Sequence, residues 1–226
     1  MTQRYTALRT ASRTALIMVV FTFLFTALMA GTYRYTSPRI AESEHKQRMA
    51  LINAIVAPEA YDNELLEDYV VLPPTPELGL DRVGHVYRAR LAGEPSALVL
   101  EAVAPDGYAG RIQLAVAVST EGTVSGVRVT GHAETPGLGD YIDPQKDRNR
   151  DAPWIEQFSG VSYEDIPPRG WTVTRDGGEF SYRAGATISA RAVIEATGRA
   201  VRYALAHQDT LFDAETGSQV QIEAAP

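Results

Sequence analysis

The hydropathy of the chain changes character twice. From Thr14 to Tyr33 it has no polar face: TALIMVVFTFLFTALMAGTY is apolar on all sides and carries no charge. A helix of that length rises about 1.5 Å per residue and spans roughly 30 Å, one bilayer core. Arg13 and Arg34 bracket the run, and Tyr33 and Tyr35 stand where interfacial aromatic residues collect. A cleaved leader is the alternative, but the apolar stretch exceeds a usual leader core, and the possible cut after Ala30 has Leu28 at the −3 position. The pattern predicts one retained N-terminal transmembrane helix.

Residues 39–56, free of Gly and Pro, carry Ile40, Met49, Ile52, Ala54 and Ile55 and predict a second helix leaving the membrane. Leu72-Pro73-Pro74-Thr75-Pro76 then breaks the chain. Beyond it the apolar residues recur every second position. His85–Leu91 and Ala97–Val103 flank Gly93-Glu94-Pro95, and Arg111–Val118 turns through Glu121-Gly122 into Thr123–Thr130. Trp171–Thr174 and Glu179–Tyr182 flank Asp176-Gly177-Gly178, a further hairpin signal. The charged stretch Asp140–Asp151 predicts a surface loop, and Trp154–Phe158 one helical turn. The last element is a helix over Ser189–His207. Its apolar stripe is Val193, Ala196, Thr197, Ala200, Val201, Ala204 and Leu205, with Arg191, Glu195, Arg199 and Arg202 on the opposite face. After Phe212 a frayed tail is expected.

These elements predict an α+β chain: a single N-terminal transmembrane helix, then a mainly antiparallel sheet with flanking helices. The expected divisions are 1–36 for the N-terminal tail and anchor, 37–76 for the membrane-proximal helix and linker, 77–212 for the main domain and 213–226 for the tail.

Composition narrows the chemistry. At 45% hydrophobic and 22% charged residues the chain can bury a core, so wholesale disorder is excluded. Without cysteine it has no disulfide, thiolate nucleophile, iron–sulfur ligand or cysteine-linked haem. Net charge is −7, yet Arg4, Arg9, Arg13 and Arg34 make residues 1–36 positive, so the rest carries 17 bases against 28 acids. Such a domain does not suit nucleic acid. Basic residues lie on both sides of the apolar run, so charge alone leaves the orientation open.

Two blocks carry candidate chemistry. In Tyr182-Arg183-Ala184-Gly185-Ala186-Thr187-Ile188-Ser189 small residues lead from a predicted strand into the last helix, with room at Gly185 and Ala186 for a bulky group. Free N–H groups and the helix dipole favour an anion there, and Thr187 offers a hydroxyl. Equally, Thr187 or Ser189 can serve as a simple N-cap. In His132-Ala133-Glu134-Thr135-Pro136-Gly137-Leu138-Gly139-Asp140, His132 and Glu134 share one face of a strand, but further metal ligands and a nucleophile elbow are missing. Thr135–Gly139 reads as a shaped loop, able to lie against a flat ring with Leu138 as apolar contact, or as a plain turn. His132 is a candidate protonation switch. His45, His85 and His207 have no partner pattern, and Trp154 and Trp171 are core candidates.

Gly185-Ala186-Thr187 with Ile188-Ser189 and Ala192-Val193 resembles the flavinylation motif of the FMN-binding domain family. The block 132–140 resembles its other signature, and Gly107-Tyr108-Ala109-Gly110-Arg111-Ile112 its opening strand; Trp154 and Phe158 match the spacer. The resemblance covers about residues 98–206, in the family's order. That family includes the flavin-carrying G component of the Rnf ion-translocating electron transport complex, to which this chain looks closer, and the corresponding C component of the sodium-pumping NADH:quinone reductase. It implies one FMN per chain, bonded by a phosphoester to Thr187 and installed from FAD by a flavin transferase. It further implies flavin contacts from Gly185, Ala186, Ser189, Glu134, Thr135, Gly137 and Leu138. The anchor then lies in a bacterial inner membrane with the main domain in the periplasm, partnered by other membrane subunits. The expected function is electron transfer between NADH and ferredoxin coupled to ion movement, with no independent catalysis. One departure stands out: the family has Asp six residues before the Thr and Ser or Thr three before it, where this chain has Ser181 and Ala184. The equivalent flavin component of the sodium-pumping quinone reductase is one rival reading, and a module that has lost its flavin and serves assembly is another; an anchored hydrolase is disfavoured.

Overall fold

A computed structural model of the chain describes residues 2–220. The chain divides into two units, the first ending at Met49 and the second beginning at Ala50. Helix α1, Thr2–Asn53, is continuous. The predicted anchor and the predicted helix over 39–56 are therefore parts of one helix, running through Pro38. Proline forfeits one backbone hydrogen bond there, and the helical residues on both sides hold the backbone helical. Arg9–Ile40, with mean hydropathy 2.2 over its most apolar window, is long and apolar enough to cross a membrane. The side chain of His45 lies outside the described residues, as do residues 221–226 of the predicted tail.

The second unit is built on a five-stranded antiparallel meander, β1 (Tyr69–Leu72), β2 (Gly84–Leu91), β3 (Glu94–Gly107), β4 (Gly110–Ser119) and β5 (Val124–Gly131), ordered as in sequence. The unit begins well before 77, because β1 and the segment before it belong to the fold: Ile52, Ile55, Val56 and Leu65 pack on one sheet face against Ala89, Ala97, Val99, Ala115 and Ala117. Small side chains on that face let the covering segment approach closely. The β2–β3 turn is Ala92-Gly93, both at positive φ, one step earlier than the Gly93-Glu94-Pro95 pattern predicts. Pro95 falls instead inside β3, where the register shifts by a bulge and the missing N–H is tolerated.

Helix α2, Thr187–Asp213, covers the other face. Val193, Ala196, Ala200, Val201 and Ala204 join Leu98, Leu100, Leu114, Val116 and Val127 in the main core, each large side chain contributing about 1.5–3 kcal/mol by burial. The helix runs beyond the predicted end at His207 because Leu211 and Phe212 are also buried and because Arg88 receives its last turn. Arg88 is 2% exposed on the α2 side of β2. It donates to the carbonyls of Leu211 (3.1 Å), Phe212 (3.2 Å) and Ala214 (2.5 Å) and to Thr216 Oγ1 (2.7 Å), and it forms an ion pair with Asp68. A guanidinium here answers both the unpaired carbonyls and the negative end of the helix dipole. The tail then continues into the fold: Gln219 bridges Val71, and Val220 is buried, so the described part of the tail is not frayed.

Two further expectations are corrected. Residues 171–182 form no hairpin; Thr174–Asp176 is a single 3-10 turn, and Val173 meets Phe180 in one isolated parallel bridge. The Trp171 and Phe180 rings pack at 5.1 Å with a tilt of 35°, so aromatic packing and loop hydrogen bonds shape this stretch. The charged loop 140–151 is also partly interior: Asp140, Tyr141, Ile142 and Asp147 are buried. Trp154 and Trp171 lie in the main core, as expected.

Candidate functional site

The segment Tyr182–Ala186 reaches α2 without a sheet partner. Gly185 has φ +89°, a conformation in which a side chain would be strained. Ala186 stands at the N-cap and offers no side-chain acceptor. Among the described residues no hydrogen bond engages the Thr187 hydroxyl or the N–H groups of Thr187, Ile188 and Ser189; the first N–H of α2 with a partner is that of Ala190, to the Ala186 carbonyl at 3.5 Å. Neither Thr187 nor Ser189 is therefore an N-cap. A long helix begins with its donors and a hydroxyl unoccupied, an arrangement that attracts an anion.

The Ser189 hydroxyl points elsewhere, donating to Glu134 Oε2 at 2.6 Å. Glu134 Oε1 accepts the Ala109 N–H at 3.1 Å. One buried carboxylate thus ties the β3–β4 turn, the loop after β5 and the start of α2 together. Its space is kept by glycines: a Cβ on Gly139 would stand 2.8 Å from Glu134 Oε2, and one on Gly107 2.8 Å from Oε1.

These three elements form an open depression of about 70 Å³ lined by Tyr108, Glu134, Thr135, Leu138, Gly139 and Gly185–Ser189. Its rim is apolar yet exposed: Tyr108 is 66%, Leu138 47% and Ile188 43% accessible.

The loop 140–158 braces the arriving segment. Tyr141 Oη accepts the Arg183 N–H at 3.1 Å and faces the Ala186 carbonyl at 3.4 Å. Trp154 Nε1 donates to the Ser181 carbonyl at 2.8 Å, and Gln157 Oε1 accepts both the N–H and the hydroxyl of Ser181. The Arg183 guanidinium lies 4.7 Å above the Tyr141 ring and pairs with buried Asp147. Burial alone would raise the Asp147 carboxyl, but the N–H groups of Trp154 and Asn149 and the Arg183 charge outweigh it and hold the group below its ordinary 3.8.

Comparison with known proteins places this chain in a family. Residues 107–202 match the FMN-binding domain, and residues 1–55 match the RnfG N-terminal region. The G component of the ion-translocating oxidoreductase complex from Pseudomonas aeruginosa (strain UCBPP-PA14) is 41% identical over 207 residues, 92% of this chain and 94% of the relative. The protein of the same name from Aliivibrio fischeri (strain ATCC 700601 / ES114) is 39% identical over 204 residues, 90% and 95% of the two chains. That from Shewanella loihica is 38% identical over 215 residues, 95% and 99%. The chain belongs to the RnfG family. The blocks 132–140 and 182–189, separated in sequence by residues 141–181, both contribute to the depression just described.

Of the residues predicted to contact a flavin, Glu134, Thr135, Leu138, Gly185, Ala186, Thr187 and Ser189 line this depression. Gly137 does not; its N–H donates to Asp140 Oδ1 at 2.8 Å and shapes the turn behind the lining. His132 is also outside the lining, its Nδ1 accepting the Glu134 N–H at 3.1 Å. Tyr108, Ile188 and Gly139 line the site without having been singled out for it. An exposed Tyr between two glycines at a hairpin tip was the available signal for the first. His85, read as unpartnered, lies 3.3 Å from Glu101, and His207 packs edge-on to Tyr203.

Proposed function

We propose that this chain is the electron-carrying subunit of a membrane-bound, ion-translocating electron transport complex, holding one FMN through a phosphoester to Thr187. The observation that carries this reading is the start of α2, where a hydroxyl and three N–H groups without a partner among the described residues open into a depression lined by both blocks. FMN bound there supplies one- and two-electron transfer. The chain binds and orients. The free N–H groups and the helix dipole fit the phosphate. Glu134 stands nearby, but its oxygens are turned to Ser189 and Ala109. Leu138 and Ile188 present apolar surface for a flat ring, and the open rim suits electron exchange with a docked partner.

In this reading the apolar part of α1 anchors the chain in a bacterial inner membrane and the sheet domain faces the periplasm. Free FMN is scarce there, so a noncovalent site would empty by mass action, and an ester bond removes that dependence. A flavin transferase installs the group from FAD. The remaining membrane subunits supply the ion path, which a single span cannot form. Similarity to RnfG-type proteins over nearly the whole chain favours this assembly over the sodium-pumping quinone reductase.

A second reading, an anchored assembly module without flavin, is supported by Ser181 and Ala184. Ser181 bonds Gln157, and Ala184 offers no hydroxyl. In-gel flavin fluorescence of the denatured protein, made with an active flavin transferase, separates the two. A bright wild-type band and a dark Thr187→Ala band are expected. Two dark bands beside a labelled control acceptor would favour the module, and a bright Thr187→Ala band would remove Thr187 as the attachment point.

A further inference from the structure

The segment 181–186 leads into the proposed attachment residue, yet it belongs to no strand. Its backbone is held from outside, by side chains of one loop. Ser181 N–H and carbonyl go to Gln157 and Trp154, and Arg183 N–H and the Ala186 carbonyl both meet Tyr141 Oη. Tyr141 thus touches the backbone on both sides of the Ala184-Gly185 turn. Its ring is fixed on two faces: Trp154 packs edge-on at 5.4 Å, and the Arg183 guanidinium covers it at 4.7 Å. Asp147 in turn holds that guanidinium, and Asp147 is itself held by the Trp154 and Asn149 N–H groups. Gly185, at positive φ in the middle of this turn, has no side chain to restrict it. The brace supplies the restriction that the sequence of the turn lacks.

We propose that Tyr141 is a positioning residue for the covalent modification of Thr187: its hydroxyl, oriented by the Arg183–Asp147 pair, fixes the Ala184-Gly185 turn and so presents the Thr187 hydroxyl in one orientation. The inference rests on the reading of Thr187 as flavin acceptor. In the modification, Thr187 Oγ1 attacks the FMN-side phosphorus of FAD. An O–P bond forms, the pyrophosphate P–O bond breaks, AMP leaves, and the hydroxyl proton passes through a transferase base to solvent. Attack on phosphorus demands an aligned oxygen, and misplacement of a reacting group by about 1 Å can cost on the order of 100-fold in rate. Burial raises the Tyr141 hydroxyl above its ordinary pKa of 10.0, so it remains an O–H donor in neutral solution.

The test is the initial rate of covalent flavin incorporation into the full-length chain, with purified flavin transferase and FAD, for wild type, Tyr141→Phe and Arg183→Lys. Tyr141→Phe keeps the ring and removes only the hydroxyl. The expected result is a fall of roughly 10-fold or more in the saturated rate, with the half-saturating acceptor concentration and Tm little changed. Hydrogen exchange should quicken at residues 183–187 while α2 beyond its first turn and the sheet stay protected. Arg183→Lys, which keeps the charge for Asp147 and loses the planar stack, should slow incorporation less, and it serves if Tyr141→Phe does not fold. Labelling of a folded Tyr141→Phe, or of Arg183→Lys in its place, at the wild-type rate would overturn the proposal. An unlabelled wild type, beside a labelled control acceptor, would instead overturn the acceptor reading and the positioning with it.

Discussion

The two ends of α2 are treated in opposite ways. At its C-terminal end, Arg88 meets three carbonyls and the hydroxyl of Thr216, and Asp68 neutralises the guanidinium. At its N-terminal end Ala186 caps with no side chain, and three N–H groups and the Thr187 hydroxyl have no partner among the described residues. One end is closed from inside the core; the other opens to the surface beside exposed Tyr108, Leu138 and Ile188. An uncapped helix start costs on the order of 1 kcal/mol relative to a capped one. Substitutions at the closed end should therefore act on stability, and substitutions at the open end on what binds there.

Breaking the closed end should give the largest effect. Arg88→Met takes away the buried one of the two guanidinium groups that pair with Asp68, and the donor to the Leu211 and Ala214 carbonyls, while Arg90 still pairs with Asp68 and reaches the Phe212 carbonyl; a loss of about 3 kcal/mol is expected in urea unfolding. A near-neutral result would mean that solvent answers those carbonyls and that the two ends do not differ in kind. Next comes the brace behind the open end. Asp147→Asn weakens the pair with Arg183 and should lower stability by about 2 kcal/mol. The sign with pH follows from the direction of its shift. A carboxyl whose folded pKa lies below its unfolded 3.8 stabilises fully above that value, and this contribution is lost as pH falls through the lower folded pKa. Acid unfolding of the Asn variant should therefore be less steep below about pH 4 than that of wild type. Equal slopes would show that Asp147 does not set the acid limit.

A smaller change is expected from Ser189→Ala, which leaves Glu134 Oε2 without its donor. It should cost about 1–2 kcal/mol and loosen the junction of the three walls, read as faster hydrogen exchange at Ala109. The smallest stability effect belongs to Thr187→Ala. Its hydroxyl bonds to no described residue, so flavin-free protein should unfold within about 0.5 kcal/mol of flavin-free wild type, although the covalent flavin is lost completely. A large destabilisation would show that the hydroxyl has a structural partner and would weaken the contrast between the ends.

Much of this organisation was legible in the residue pattern. The apolar run of the anchor, the alternation of β2 to β5 and the stripe of α2 are local signals with a fixed period, and each corresponds to an element of the fold. The two site blocks were legible through their resemblance to the family's motifs, since small residues and a hydroxyl before a helix left a plain N-cap equally open. What failed was non-local. The hairpin expected over 171–182 had the right turn residues, but Trp171 and Phe180 pack on each other and on the core. Asp147 looked like a solvated charge in a charged loop, yet it is buried under two N–H donors and Arg183. Arg88 gave no signal, since its partners in the last turn of α2 lie more than a hundred residues away.

The sequence by itself determined the length of the apolar N-terminal run, the antiparallel pairing of β2 with β3 and of β4 with β5, the amphipathic helix and Thr187 at its start, because each depends on neighbours a few positions apart. Only the tertiary structure decided that 132–140 and 182–189 face each other across Glu134 and Ser189. It alone decided that the start of α2 stays uncapped while its end is closed, and that Tyr141 holds the turn before Thr187. Those outcomes depend on which donors and acceptors the packed core brings within about 3 Å of one another, a distance at which hydrogen bonds form and which no local pattern encodes.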